Sequence, residues 1–408
     1  MRGRKIWLSA LVLGLLLLAG AQAAKAHVFV QCPPDTDGVD TDGDGIVNND
    51  YVCYHLSGGD GYVRMADGLD MYAFGFSDLT GINDDSALIV GRLAAETPAP
   101  PLVFREGQKV FLTLTNTGMF MRPDLFDPHS VHFHGFPNAA VIFDGEPMAS
   151  ISINMSESLT YYYNLVEPGT FMYHCHVEAT EHMQMGMLGI LYVRPRQDML
   201  PAGTTFSNGF VHQAGYKYAY NDEDGSTYYD VDFPIQVTSF DPRFHWSSEN
   251  VQPLDFAYMH DTYPMINGRG YPDTVNTGNI LNNAGRPSQK VNALVTATQG
   301  QKVLLRISSL ATGEFYTVGI AGIPMTVVGQ GARLLRGPDP DGPGPLLGKN
   351  LYYTTQSLTL GGGQSVDVIL DTAGVPAGTY CLYGTNLNQL SNDNEDFGGM
   401  MTEIRITP

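Results

Sequence analysis

Three strings of residues recur in the same order in the two halves of the chain. This duplication limits the fold more than any other feature of the 408 residues. Glu106-Gly-Gln-Lys-Val-Phe-Leu-Thr-Leu is answered by Gln299-Gly-Gln-Lys-Val-Leu-Leu-Arg-Ile. Gly169-Thr-Phe-Met-Tyr-His-Cys-His is answered by Gly378-Thr-Tyr-Cys-Leu-Tyr-Gly-Thr, and Gly186-Met-Leu-Gly-Ile-Leu-Tyr-Val by Gly399-Met-Met-Thr-Glu-Ile-Arg-Ile. Two copies of one unit are therefore expected. Helical periodicity is scarce within each copy. Short apolar or alternating runs, such as Lys109–Thr115, Ser150–Asn154, Leu159–Asn164, Lys302–Ser308 and Ser365–Leu370, are broken by Gly, Pro, Asn and Asp. Strands at that spacing predict an all-β protein made of two β-sandwich domains. We place these at 88–196 and 231–408, with an extension at 27–87 before the first and a linker at 197–230 between them.

The first 26 residues read as a signal peptide. Arg2, Arg4 and Lys5 precede an apolar run from Ile6 to Ala19, and small residues follow, with cleavage expected after Ala23 or Ala26. The run is short for a membrane span, and no later segment approaches one. An exported protein, periplasmic or secreted, is the expectation. The formal charge is −20, and loss of Arg2, Arg4, Lys5 and Lys25 with the leader takes it to −24. So acidic a surface repels nucleic acid and anionic lipid and attracts cations or basic proteins.

Cys32 and Cys53 flank an acidic loop and suit a disulfide in an oxidising compartment, worth roughly 3 kcal/mol on the chain-entropy model. Between them, Asp40, Asp42, Asp44, Ile46, Asn48 and Asp50 follow the spacing of a calcium loop, with Tyr51 at the position where an acid normally closes it. Cys381 lies alone in a strand-like run and is expected to be a buried thiol.

Of the eleven histidines, six fall in two clusters: His129, His132 and His134, then His174 and His176 followed by His182. Residues two apart in a strand share a face. His132 with His134, and His174 with His176, can thus converge on one site, while Cys175 points the opposite way to meet His129 and His182. Met187 lies five residues beyond His182. Two imidazoles, a thiolate and a weak thioether are the donor set of a blue-copper electron-transfer site.

These strings, His-x-x-His-x-His-Gly and then His-Cys-His with His-x-x-x-Gly-Met, resemble the multicopper oxidases and the related copper nitrite reductases. The resemblance implies two cupredoxin-like Greek-key domains. It makes His129, Cys175, His182 and Met187 the type 1 copper ligands, and His132, His134, His174 and His176 half of a type 2 and type 3 copper set that would carry catalysis. A trimer is also implied by two-domain relatives. The sequence departs from the family twice. His182 stands seven residues after Cys175 where the family has five, which predicts a longer loop over Val177–Glu181. In the second repeat the positions matching His129, His132 and His134 are Tyr316, Gly319 and Ala321, and those matching His174, Cys175 and His176 are Tyr383, Gly384 and Thr385.

The expected function is an exported copper oxidoreductase passing electrons from type 1 copper through Cys175 to the inner site. Its donor would be a small reductant or a basic redox protein. Two alternatives stand beside it: a non-catalytic type 1 electron carrier or copper-binding module, and a nitrite-reductase-like enzyme. The second of these would need a histidine from a neighbouring subunit. The resemblance also implies a trinuclear oxygen-reducing site of eight imidazoles, of which the first repeat supplies four; His27, His55, His212, His245 and His260 are left to complete it at a subunit interface, or two identical half-sites could meet across a two-fold axis.

Overall fold

The computed structural model describes residues 28–136, 139–337 and 348–408. The expected leader, both cleavage points and His27 lie outside these residues. The first sandwich has two four-stranded sheets. One runs in the order β2 (Asp70–Asp78), β1 (Tyr51–Arg64), β4 (Lys109–Gly118), β6 (Ser158–Asn164). The other runs β3 (Ala99–Arg105), β8 (Leu188–Arg194), β7 (Gly169–His174), β5 (His132–His134). Val110, Leu112 and Leu114 of β4, Tyr161 and Tyr163 of β6, and Phe171 and Tyr173 of β7 meet between the sheets in one buried cluster. These are every second residue of their strands, as a half-buried sheet requires.

The second sandwich repeats the strands of the first and adds others, giving sheets of seven and five strands. Val231–Phe240 pairs in parallel with Lys302–Ser309, as β1 does with β4. Val295–Thr298 pairs in parallel with Met401–Thr407, as β3 does with β8. Gly378–Gly384 and Tyr316–Ile320 then stand where β7 and β5 stand. A separate cluster of buried aliphatic residues fills this sandwich.

Three expectations need correction. The first sandwich begins at Tyr51, because β1 and β2 belong to its sheet, and not at residue 88. Nothing in their composition distinguishes β1 and β2 from an extension; Gly58, Gly59 and Gly61 weaken the strand signal of β1. Ser150–Asn154 is not a strand and makes only an isolated bridge, between Ile153 and His129. Cys32 and Cys53 are joined in a disulfide, and Cys381 is half-buried, not buried.

The two units are held together by a buried polar cluster. The Arg306 guanidinium lies over the Tyr192 ring at 4.6 Å, with Nε 3.2 Å from Asp232 and Nη1 3.8 Å from Asp367. From β7, Thr170 donates to Asp367 at 2.5 Å and accepts through its carbonyl from Ser365 at 2.7 Å. One difference between the repeats places further contacts. β1 and β2 are joined by Met65–Leu69, whereas the matching strands of the second unit are joined by 241–262, which carries the helix Pro242–Glu249. That helix lies on the first sandwich. Phe244 enters the first core, His245 reaches the Tyr72 carbonyl at 2.6 Å and the Gln184 carbonyl at 2.8 Å, and Arg122 donates to the Ser248 carbonyl.

Removing one member of a buried ion network leaves the others unpaired. Arg306→Ala is expected to cost about 3–5 kcal/mol, read as a lowered urea midpoint, since Asp367 and Asp232 would lose their cation.

Candidate metal centres

Alternation along one strand separates the two donor sets. Phe171, Tyr173 and Cys175 point into the core, while Met172 and His174 point out towards the second unit. Cys175 Sγ is fully buried, 3.1 Å from His182 Nδ1, and the backbone N–H of Ser130 donates to it at 3.4 Å. The donor atoms of His129, Cys175 and His182 all lie within 4.8 Å of one another. Met187 is held beside them by the Cys175 N–H, which donates to the Met187 carbonyl at 3.1 Å. Gly58 of β1 makes the space: a Cβ there would stand 3.0 Å from the His129 ring and 3.3 Å from the Met187 methyl.

The expected loop over 177–181 contains the start of a helix, Ala179–Met185, which carries His182 and ends at Gly186 with φ 117°. Any side chain at 186 would strike the Phe74 carbonyl at 2.7 Å. The helix turns His182 inward, edge-on to Phe74 and wholly buried.

Burial alone would raise the Cys175 pKa, but the charge and hydrogen bonding of His182 and His129 outweigh it and bring the thiol down to about 5. His182 is pushed the other way: burial opposes its charge, yet Cys175 and Asp127 hold it well above the ordinary value. Both ring nitrogens of His129 and Nε2 of His182 are buried without an aligned hydrogen-bond partner. Orphaned imidazole nitrogens around a readily ionised thiolate fit a soft transition metal of the copper kind.

The second set gathers on the outer face. His132 lies opposite His174 in the β5–β7 register. Ring centroids stand 5.2 Å apart for His132 and His134, 5.3 Å for His132 and His174, and 4.8 Å for His132 and His176. His132 Nδ1 lies 2.6 Å from the Asp144 carbonyl, His174 Nδ1 lies 2.7 Å from the Cys175 carbonyl, and His134 Nδ1 faces the Gly363 backbone. A proton on each Nδ1 leaves the Nε2 lone pairs facing one another. The Nε2 atoms of His134 and His174 are 2.9 Å apart, a distance at which two lone pairs need a proton or a cation between them. His132, His134 and His174 also fit a metal, with donor atoms within 4.8 Å of one another, while His176 stands beside them outside that group. They open on a cleft of about 390 Å³ whose far wall is Leu310, Thr312 and Gly363 of the second unit.

No such set exists in the second unit among the described residues. Strand register makes Gly319 the counterpart of His132 and Tyr383 that of His174. Gly384 donates to the Met400 carbonyl as Cys175 does to that of Met187. Gln389 fills the vacated space, with its Oε1 2.8 Å from where a Cβ on Gly384 would sit.

The spare histidines are mostly engaged. His55 bonds Thr115 at 2.8 Å, His212 bonds Tyr218 at 2.8 Å, and His245 is the buried pin described above. All three are thereby withdrawn from the role of interface ligand, and among the described residues His260 alone is exposed. In the acidic loop Asp40, Asp42 and Asp44 converge, with Arg105 Nη1 2.8 Å from Asp42 and 3.3 Å from Asp44. Ile46 donates its N–H to Asp44 at 2.8 Å. Asn48 accepts from the Gly38 N–H, and Asp50 from the Thr41 and Asp42 N–H groups, so both side chains are engaged by the backbone. Two residues escaped the sequence reading. Tyr161 accepts from the Val131 N–H at 3.1 Å and so fixes the segment between His129 and His132, and Asp127 lies beside His182. The alternation of Tyr161 and Tyr163 marked a strand but gave no sign of that contact.

A pair of cupredoxin-like sandwiches with one two-part histidine and cysteine centre defines a class, and comparison with known proteins gives it a family. Residues 86–198 and 249–402 each match a multicopper oxidase family model, together more than half of the chain. The chain belongs to the multicopper oxidase family, whose members are copper-dependent oxidoreductases. It is 32% identical over 139 residues to multicopper oxidase MCE of Talaromyces pinophilus, covering 34% of this chain and 21% of that one. It is 24% identical over 269 residues to copper resistance protein A of Escherichia coli, covering 62% and 39%. The chain thus spans well under half the length of these curated relatives. The fold is also that of blue copper oxidase from Nitrosomonas europaea, with TM-score 0.61, 20% identity and 87% and 86% of the two chains covered. A copper-containing nitrite reductase from Thermus scotoductus gives TM-score 0.53, 16% identity and 87% and 62% coverage.

Burial lowers the His174 pKa to about 3, against an ordinary value of about 6.5. Between those values the unfolded chain binds a proton that the folded one refuses, so metal-free protein loses stability as pH falls through the window. His174→Gln is expected to flatten that slope in urea unfolding between about pH 6.5 and 4, relative to the parent chain.

Proposed function

We propose that this chain is an exported copper oxidoreductase, periplasmic or secreted. Electrons would enter at the outer set, His129, Cys175, His182 and Met187, and leave at the inner set, His132, His134, His174 and His176. One juxtaposition supports the reading: the Cys175 sulfur lies in the outer group, while its chain neighbours turn the other way, His174 into the inner group and His176 onto the cleft. Copper held at these two places would supply one-electron chemistry, taken up at a thiolate and delivered at imidazoles. The chain's own part is positional. Cys175 joins the sets by covalent bonds and by its carbonyl, which accepts from His174. The cleft beside His134 and His176 admits a small acceptor, and the Leu310 wall limits its size. The acidic surface suits a small reductant or a basic redox protein as donor.

The inner set has four imidazoles, and the second unit brings a glycine backbone to it but no ligand. A metal site smaller than the trinuclear one of the family is therefore proposed, held by the first unit's imidazoles within one chain and walled by Gly363. The expected result is two coppers per chain, with oxygen uptake on phenols, Fe(II) or Cu(I) lost in His132→Ala while the blue absorption stays. One copper per chain in every assembly state would leave the electron carrier instead. The engaged state of His55, His212 and His245 favours that carrier over nitrite reduction, which among the described residues would have to draw on His260 of a neighbouring copy.

A further inference from the structure

A buried carboxylate stands behind the outer set. Asp127 precedes His129 by two residues, its side chain is 5% exposed, and its Oδ2 lies 3.1 Å from His182 Nε2. No Lys or Arg among the described residues pairs with it. Three features bring it there. Asn116 donates to the carbonyls of Asp127 at 2.8 Å and Ile153 at 2.9 Å, which fixes the chain just ahead of His129. The two extra residues after Cys175 let a helix form, and Gly186 ends it so that His182 faces inward. Phe74 then holds the imidazole edge-on at 5.6 Å. His182 is left with Nδ1 on the Cys175 sulfur and Nε2 on Asp127, close but not yet collinear with the carboxylate.

Buried carboxylates are retained where something positive needs them. A carboxylate on the far nitrogen of a ligating imidazole fixes the ring and makes it a stronger donor. We propose that Asp127 is a positioning residue for the outer metal site, holding His182 with Nδ1 towards the metal and placing a fixed negative charge one imidazole away from it. This rests on His182 being a ligand, as proposed above. The charge favours the oxidised over the reduced ion, so Asp127 both tightens Cu(II) binding and lowers the reduction potential.

The test uses the full chain reloaded with Cu(II). Asp127→Asn is expected to keep the thiolate-to-copper absorption, to bind Cu(II) about 10–100-fold more weakly by competition with a chelator, and to show a more positive potential. Asp127→Glu, which retains the charge, should return the potential towards the parent value. Asp124→Asn, at an exposed acid paired with Arg122, should change neither quantity. Parent-like affinity and potential in Asp127→Asn would overturn the proposal while leaving the outer site intact. Absence of the thiolate band from the parent chain would instead sink the site reading itself. A measurement on the parent chain guards against a variant that does not fold. In the Cu(I)-loaded protein the His182 Nε2 proton should be shifted downfield and slow to exchange, and a rapidly exchanging proton there would equally refute the role of Asp127.

Discussion

The centre depends on the two-residue alternation of an extended chain running out of β7. With Phe171 and Tyr173 committed to the core, Cys175 must also face inward, and His174 must face the other unit. No rotamer choice could send these side chains elsewhere without moving a core aromatic to the surface. The His132–His174 register then imports β5 as the second half of the inner set. Burial follows from the same alternation, since the sulfur inherits the dry side of the sheet and the imidazoles inherit the cleft. The low thiol pKa and the low His174 pKa are thus two outcomes of one placement. In the first, fixed imidazoles beside the sulfur outweigh the cost of burial; in the second, nothing of opposite charge offsets it.

Much of this was legible in the chain. Residue types at period two name both donor sets, and the repeated strings predict two copies, including the substitution of Tyr316 and Gly384 for ligands. What escaped was the part that depends on partners distant in sequence. β1 lies outside the repeated strings, and its glycines read as loop, yet Gly58 is the wall against His129 and Met187. Asp127 is an ordinary acid before a proline until a helix more than fifty residues later swings His182 onto it. The His182 spacing announced a longer loop, but only tertiary packing against Phe74 and a left-handed Gly186 decide that the extra residues wind into a helix. His245 looked like a spare ligand because its sequence surroundings resemble a loop; two backbone carbonyls from the other unit claim it.

The duplication allowed the two copies to divide the work. Once Cys175 had no counterpart in the second copy, that pole no longer had to hold donors at fixed spacing, and Gln389 could occupy the space. The second copy instead carries a long connection between its first two strands, where the first copy makes a tight turn. This addition serves the first copy: it contributes Phe244 to its core and a histidine to the backbone of the helix that bears His182. Arg306 and its acids hold the two copies in the register this requires.

The same covering helix bears on how the outer set is reached. His129, Cys175, His182 and Met187 have no solvent exposure, and part of the covering layer belongs to the other unit. A metal ion cannot walk in through a closed door. These side chains are reached only by a movement of the chain, and one that parts Phe244 and His245 from the first sandwich would loosen their cover. Exchange of anything held by these four side chains would thus be governed by a helix that belongs to the other unit.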